Sequence, residues 1–213
     1  MAPEMVLAEQ TYRALKDAIM HGRFAPGAPL NTHAVAAEHE ISVSPVRDAF
    51  HRLVGERLLE SRPSGGFQIP FATAESVRAL YLWHHSLLRM AFSSMAKADL
   101  HQGGEEPSCF SQPVDAAGIA AAASELFAGL GARSGDSELA FAIRAAGDRL
   151  HTLRICEGLY KDRVDELQKL RAVLVSGAFP GARRALGAYL RWRLHHVDAI
   201  LACLYDPRNW RRS

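Results

Sequence analysis

Between Val35 and Leu53 the chain carries two short helical periods separated by a link of only four residues, HEIS, and no other feature restricts its folding as tightly. Leu30, Val35 and Ala36 belong to a first helical segment opened by Asn31 or Thr32. In the stretch ISVSPVRDAFHRL, residues 41–53, Val46, Ala49, Phe50 and Leu53 recur at helical spacing, while Arg47 and His51 stand four apart on another face. Pro45 suits the first helical position, where its missing N–H is unsatisfied anyway and its fixed φ already matches the helix. Ser44 is then the natural N-cap. Taken alone, the second helix also fits an ordinary capped surface helix with a solvated Arg and His. The short link decides otherwise: two helices so joined form a helix-turn-helix, whose second helix can enter a DNA major groove N-terminus first.

The next segment of the chain has the pattern of a wing. LLES and FQIP, residues 58–61 and 67–70, are strand-like runs separated by RPSGG, whose glycines allow a tight return.

Residues 8–70 closely resemble the winged helix-turn-helix of the GntR family of transcriptional regulators. The resemblance is carried by YRALKDAIMHGRFAPGAPLN, then VAAEHEISVSPVRDAFHRLVGERLLE, then GGFQI, with Gly22, Pro26, Gly27, Leu30, Ser42, Pro45, Val46, Arg47, Ala49, Leu53 and Gly66 standing where the family pattern asks. It implies that Ser42, Ser44, Pro45 and Arg47 face the groove, with His33, His51 and the wing residues Arg62, Gly65 and Gly66 as further DNA-contacting candidates. Three positions depart from the pattern. Val43 and Gly65 stand where the family commonly has arginine, and Thr32 where it has glutamate, so the operator should differ from the usual one. Residues 1–70 hold seven Lys or Arg against eight Asp or Glu, a balance of −1, where DNA binding usually leaves a basic footprint. Dimerisation, or charge on His33 and His51 that grows as pH falls, would have to compensate.

The whole chain of 213 residues, 48% hydrophobic with a formal charge of +2, has room for two small domains. No apolar run approaches membrane-spanning length, and MAPEMVLAEQ lacks the regions of a signal peptide, so the expectation is a cytoplasmic protein without membrane contact. Cys109, Cys156 and Cys203 are odd in number and widely spaced, and read as reduced, mostly buried side chains. Pro70 ends the first domain, 1–70. Beyond it, in 71–213, strand signals almost vanish and helical periods take over. Thr73 can cap a helix to about Leu100, HQGGEEPSCFSQP must be loop, and residues 114–130 are Ala-rich and helical. Further stripes are Leu139, Ile143, Ala146, Leu150 and Leu153; Val164, Leu167, Leu170 and Leu174; and Leu186, Leu190, Leu194, Val197, Leu201 and Leu204, with Pro180 opening the last helix. The fold class is therefore mainly α: a winged helix-turn-helix with a small β-hairpin wing, and then an all-α bundle of five or six helices.

That bundle resembles the FCD effector domain of the fatty-acid-regulator branch of the GntR family, through SELFAGLGARSGDSEL and LQKLRAVLVSGAFPGARRALGAYL. Many such domains hold a divalent metal through one aspartate and three histidines. Those positions here are Ala123, Phe127, Leu167 and Tyr189, which supply neither imidazole nor carboxylate, so no metal and no cofactor is expected. Asp148 and His151 are displaced from the motif and read as helix surface. The family's arginine and glutamate in the first helix of this domain are replaced by His84 and Leu88. Two readings stay open for the altered cavity. It binds an apolar or aromatic effector oriented by Tyr189, with His84 and His196 beside it, or the side chains fill the space and the domain only dimerises. His84 and His196 as a metal pair would lack a third ligand. The basic C-terminal end, seven arginines against two aspartates over 183–213, reads as a solvated helix end, with phosphate contact from RNWRRS as the weaker option.

No nucleophile elbow, phosphate loop or catalytic carboxylate pair is present, which argues against an enzyme. The expectation is a homodimeric regulator that binds operator DNA, with a possible small-molecule effector. The competing reading is a helical dimerisation scaffold that has lost effector or specific DNA binding.

Overall fold

The computed structural model describes residues 3–98, 115–175 and 179–209, with side chains described for 7–95, 115–174 and 181–209. Cys109, the loop HQGGEEPSCFSQP and the last four residues of RNWRRS lie outside the described residues. The chain divides into two compact units. One spans Met1–Ala72 and takes in residues from Cys203 onward; the other spans Thr73–Ala202. The division thus falls just beyond Pro70, and the residues after the last long helix cluster with the N-terminal unit. There the Tyr205 hydroxyl donates to the Ala72 carbonyl and accepts from the Ala72 N–H, both at 3.0 Å.

In the N-terminal unit, α1 (Pro3–Met20) lays Tyr12, Leu15 and Ile19 against α3 (Val43–Gly55), which answers with Val46, Phe50 and Leu53. Between them α2 (Thr32–Glu38) is opened by Asn31, whose side chain accepts from the His33 and Ala34 N–H groups at 2.8 and 3.4 Å. The HEIS link closes α2 with a hydrogen-bond pair, Ile41 N–H to Ala36 O and Glu40 N–H to Ala37 O, at 3.0 and 3.3 Å. This turn usually places glycine in the left-handed region. Here Glu40 occupies it, at φ 53°.

The wing is broader than a hairpin. Strands β2 (Glu60–Ser61) and β3 (Phe67–Gln68) are joined by β1 (Pro29–Leu30) in an antiparallel sheet ordered β1-β3-β2, with Leu30 and Ser61 both paired to Phe67. Sequence patterning does not reveal the first edge, because PL offers no alternation to read. At the tip, Gly65 and Gly66 take φ 88° and 83°, and the Arg62 N–H donates to Gly66 O at 3.0 Å. Consecutive left-handed residues are tolerable only for glycine.

The second unit contains α4 (Ala74–Ala98), α5 (Ala116–Arg133), α6 (Ser137–Glu157), α7 (Arg163–Val175) and α8 (Phe179–Leu204). Thr73 caps α4 reciprocally with Ser76, and Asp115 and Asp136 cap α5 and α6 by accepting from Gly118 and Leu139. Helix α6 packs against both α4 and α5, so its buried face is wide. The stripe expected on α8 is shifted. Ala182, Leu186, Tyr189, Arg193, Val197, Ile200 and Leu204 are buried, whereas Leu190, Leu194 and Leu201 are only half-buried. The leucine spacing marks one edge of the face, while its centre carries a tyrosine and an arginine. Among the described residues no helix is long and apolar enough to cross a membrane.

Candidate DNA interface and interior of the helical unit

Helix α3 begins two residues earlier than the Pro45 rule predicts. Ser42 is the N-cap and Val43 the first helical residue, which puts Ser44 second and Pro45 third. Proline is equally tolerated there, because the first four N–H groups of a helix have no partner within it. Ser42 is exposed and makes no capping bond with its side chain. Ser44, Arg47 and His51 continue along the exposed face, with Pro45 half-buried and Val46, Ala49, Phe50 and Leu53 beneath. Val43, the residue standing for a family arginine, is turned partly into the core instead.

The charges of this unit are unequally employed. Arg52 meets Glu9 at 2.6 Å and lies 3.5 Å over the Tyr12 ring; Arg13 also meets Glu9, and Lys16 meets Glu56 at 2.8 Å. These pairs draw both signs to the α1–α3 rim. Arg47 has no side-chain partner among the described residues and is exposed. The overall balance of −1 therefore understates the positive character of the recognition turn, although Asp48 is exposed next to Arg47 and subtracts from it. His51 stands edge-on to Phe67 of the wing at 5.3 Å, so α3 and β3 are tied at that point. His33 is exposed on α2, and Arg62, Gly65 and Gly66 are exposed at the wing tip.

In the helical unit the structure gathers three of the expected effector residues around one ring. Phe127 is met edge-on by His84 at 5.1 Å and by Tyr189 at 5.2 Å. Ala123 and Leu167 are buried on α5 and α7. His196 belongs elsewhere: it stacks on Trp192 at 4.1 Å, its Nδ1 lies 2.7 Å from Trp192 O, and its other ring neighbours are Tyr160 and His195. With alanine, phenylalanine, leucine and tyrosine at the four positions the resemblance reserves for metal ligands, the donor set does not fit a metal. Among the described residues no three of His, Cys, Asp and Glu form a metal-binding group.

The same interior contains charges that apolar periodicity does not reveal. His151, expected on the helix surface, is buried, with Nδ1 3.2 Å from Ser124 Oγ. Glu157 accepts from Tyr81 at 2.6 Å and pairs with Arg193 at 2.7 Å, and Arg193 also meets Glu166 at 2.9 Å. Burial opposes the charge on Arg193, but Glu157, Tyr189 and Glu166 together hold it above the ordinary arginine range. Burial and Glu157 push the Tyr81 phenol well up. Arg154 is 1% exposed. A signal for these residues exists in the spacing: Ala146, Leu150 and Arg154 stand four apart along one stripe, as do Tyr189 and Arg193. Cys156 is buried and Cys203 half-buried, both as free thiols.

Comparison with known proteins agrees with the N-terminal geometry. Residues 7–69 match the family of bacterial regulatory proteins described as the gntR family. The HTH-type transcriptional repressor RspR of Escherichia coli K12 is 34% identical over 76 residues, which are 36% of this chain and 33% of that protein. The uncharacterized HTH-type transcriptional regulator YdhC of Bacillus subtilis 168 is 36% identical over 72 residues, 34% of this chain and 32% of that one. The matched stretch is thus about a third of the length of these relatives. Over nearly the full chain the fold is similar to that of McbR/YncC of E. coli, with TM-score 0.66 and 21% identity over 91% of this chain and 97% of the other. A GntR-type regulator of Rhodococcus sp. RHA1 gives TM-score 0.63 and 20% identity over 92% and 98%. Through residues 7–69, the chain belongs to the gntR family of bacterial regulatory proteins.

Proposed function

We propose that the chain is a sequence-specific DNA-binding transcriptional regulator, cytoplasmic and homodimeric, whose helical unit of FCD type receives a small effector with an apolar body. The observation that carries the DNA-binding part is the first turn of α3, where Ser42, Ser44 and the unpaired Arg47 are exposed on a helix held by a gntR-family domain. An arginine so placed can reach guanine or phosphate, and Ser hydroxyls can reach phosphate. Dimerisation is supported by α4, which exposes Leu82, Trp83 and Met90 on its outer face, and by the gain in affinity when two recognition helices are linked. The effector part is supported by the Tyr189 hydroxyl and His84 Nε2, both buried beside Phe127 without hydrogen-bond partners. The residues in these roles are Arg47, Ser42, Ser44, Pro45, His33, His51, Arg62, Gly65 and Gly66 for DNA, and Tyr189, His84, Phe127, Leu167 and Ala123 for the effector.

A gel-shift titration with the DNA flanking its own gene tests the reading. A saturable complex that resists nonspecific competitor DNA is the expected result, and binding no tighter than to that competitor would overturn it. One observation favours a second reading, in which the domain has become a scaffold: Val43 packs toward the core where the family commonly presents a cation. The same titration separates the two.

A further inference from the structure

Two arginines are enclosed in the helical unit, and only one has a counter-charge. Arg193, 3% exposed, is met by Glu157 and Glu166. Arg154, 1% exposed, gives Nη1 to two neutral oxygens, Ser124 Oγ at 3.1 Å and Gly147 O at 3.3 Å, and pairs with no described carboxylate. The acid one turn along α6, Glu157, is directed to Arg193 and Tyr81. An enclosed cation without a counter-charge is among the least favourable arrangements a protein interior can hold.

The two Arg154 nitrogens left without partners are Nε and Nη2. They share one edge of the planar guanidinium, and their N–H bonds run parallel, which is the fork that grips a carboxylate through two hydrogen bonds. The surroundings of that fork are aromatic and neutral. The guanidinium carbon lies 5.2 Å from the Phe127 ring, whose other neighbours are His84 and Tyr189. Burial, with Arg154 next in weight, holds His84 well below the usual histidine range, so its ring is neutral. Its Nε2 and the Tyr189 hydroxyl are both unpartnered.

We propose that the Nε/Nη2 edge of Arg154 directly receives the carboxylate of a small organic acid, with Phe127 against the acid's apolar body and His84 Nε2 and Tyr189 Oη as neutral hydrogen-bond partners. This rests on the reading of the helical unit as an effector-binding domain and names the effector's chemical class. One fork matches one negative charge. A phosphate dianion would call for a second cation, and Arg193 is already committed to Glu157 and Glu166. Ala123 and Leu167, buried on the neighbouring helices, suit a hydrocarbon body and not a second acid.

The test uses the full chain and three acids, benzoate, phenylacetate and hexanoate, each beside its own amide, with inorganic phosphate as a further probe. Titration calorimetry and thermal shift are the readouts, since a ligand of the folded state must raise the melting temperature by mass action. At least one acid should bind saturably, near one per chain, and its amide at least tenfold more weakly. Arg154→Lys keeps the charge but loses the fork, and should weaken the acid at least tenfold; Arg154→Met should abolish its binding. If the Met variant does not fold, the Lys variant carries the test. Equal binding of acid and amide, unchanged affinity in Arg154→Lys, phosphate binding as tightly as the best acid, or no binding by any of the three acids would each overturn the proposal. An amide that binds and changes operator affinity would leave the effector reading standing while the carboxylate proposal falls. If none of the six compounds binds or alters operator affinity, both fall.

Discussion

The two units of this chain handle charge in opposite ways. In the N-terminal unit, Glu9, Lys16, Arg52 and Glu56 pair along the rim of the α1–α3 contact, above a core made of apolar side chains. In the helical unit, Arg154, Glu157 and Arg193 lie inside the bundle. A rim charge can lose its partner to water with little consequence; an enclosed one cannot. That difference explains why Arg47 can stand unpaired at the surface as a ready contact for another molecule, whereas Arg154 unpaired in the interior is a demand for one.

The sharpest way to break this contrast is Glu157→Gln. It removes the carboxylate from Arg193 and leaves a buried cation dependent on Glu166, so a loss of about 3–5 kcal/mol in unfolding free energy is expected from denaturant titration. A change within the error of that titration would show that the interior charges are not coupled as described. Next in size is Arg47→Ala. With the fold intact, specific operator affinity should drop roughly ten- to a hundredfold at fixed salt, the range for one good base contact. An unaltered affinity would remove Arg47 from the interface.

Acid should act on the helical unit through its histidines. Burial first, and then Arg154, His85 and Arg193, keep His84 neutral in the fold, while the unfolded chain leaves it free to protonate. Half-buried His85 is shifted in the same direction by burial and by Arg89. The unfolded state therefore binds more protons as pH falls below about 6.5, and stability must decline with it. Melting temperatures recorded from pH 7.5 to pH 5 should fall, and His84→Leu should flatten that dependence; an identical slope in the variant would exclude His84 as its source. A smaller effect is expected from Tyr189→Phe, which deletes a buried hydroxyl that has no partner and should leave the melting temperature level or slightly higher. Smallest of all, Glu9→Gln at the exposed rim should not be separable from the parent protein by melting temperature at physiological salt.

How legible these features are in the sequence tracks the same division. The α3 stripe of Val46, Ala49, Phe50 and Leu53 is readable because amphipathic spacing decides burial in a small domain with an apolar core. The helix start is misplaced by two residues because proline fits any position of a first turn, and nothing local separates Ser42 from Ser44 as the cap. On α8 and α6 the apolar pattern gives the helices but not the interior. Arg154 and Arg193 look like surface residues to any rule that sorts by polarity, and only their position four residues beyond Leu150 and Tyr189 betrays them. The gathering of His84, Phe127 and Tyr189 stems from the resemblance that placed two of them at one cavity, whereas the rotation of His196 onto Trp192 depends on a stacking partner that spacing does not specify.

The central place of β3 in the sheet has a consequence for how the protein is made. Phe67 pairs with Leu30 on one side and Ser61 on the other and packs on Phe50 at 5.0 Å. A chain leaving the ribosome N-terminus first can form α1, α2 and α3 early, since their contacts are comparatively local, but Leu30 and Phe50 keep an uncovered side until residue 67 has emerged. The N-terminal unit thus reaches its finished core late in its own synthesis, and a ribosome paused just before Phe67 would hold a nascent helix-turn-helix with its apolar face open to chaperones.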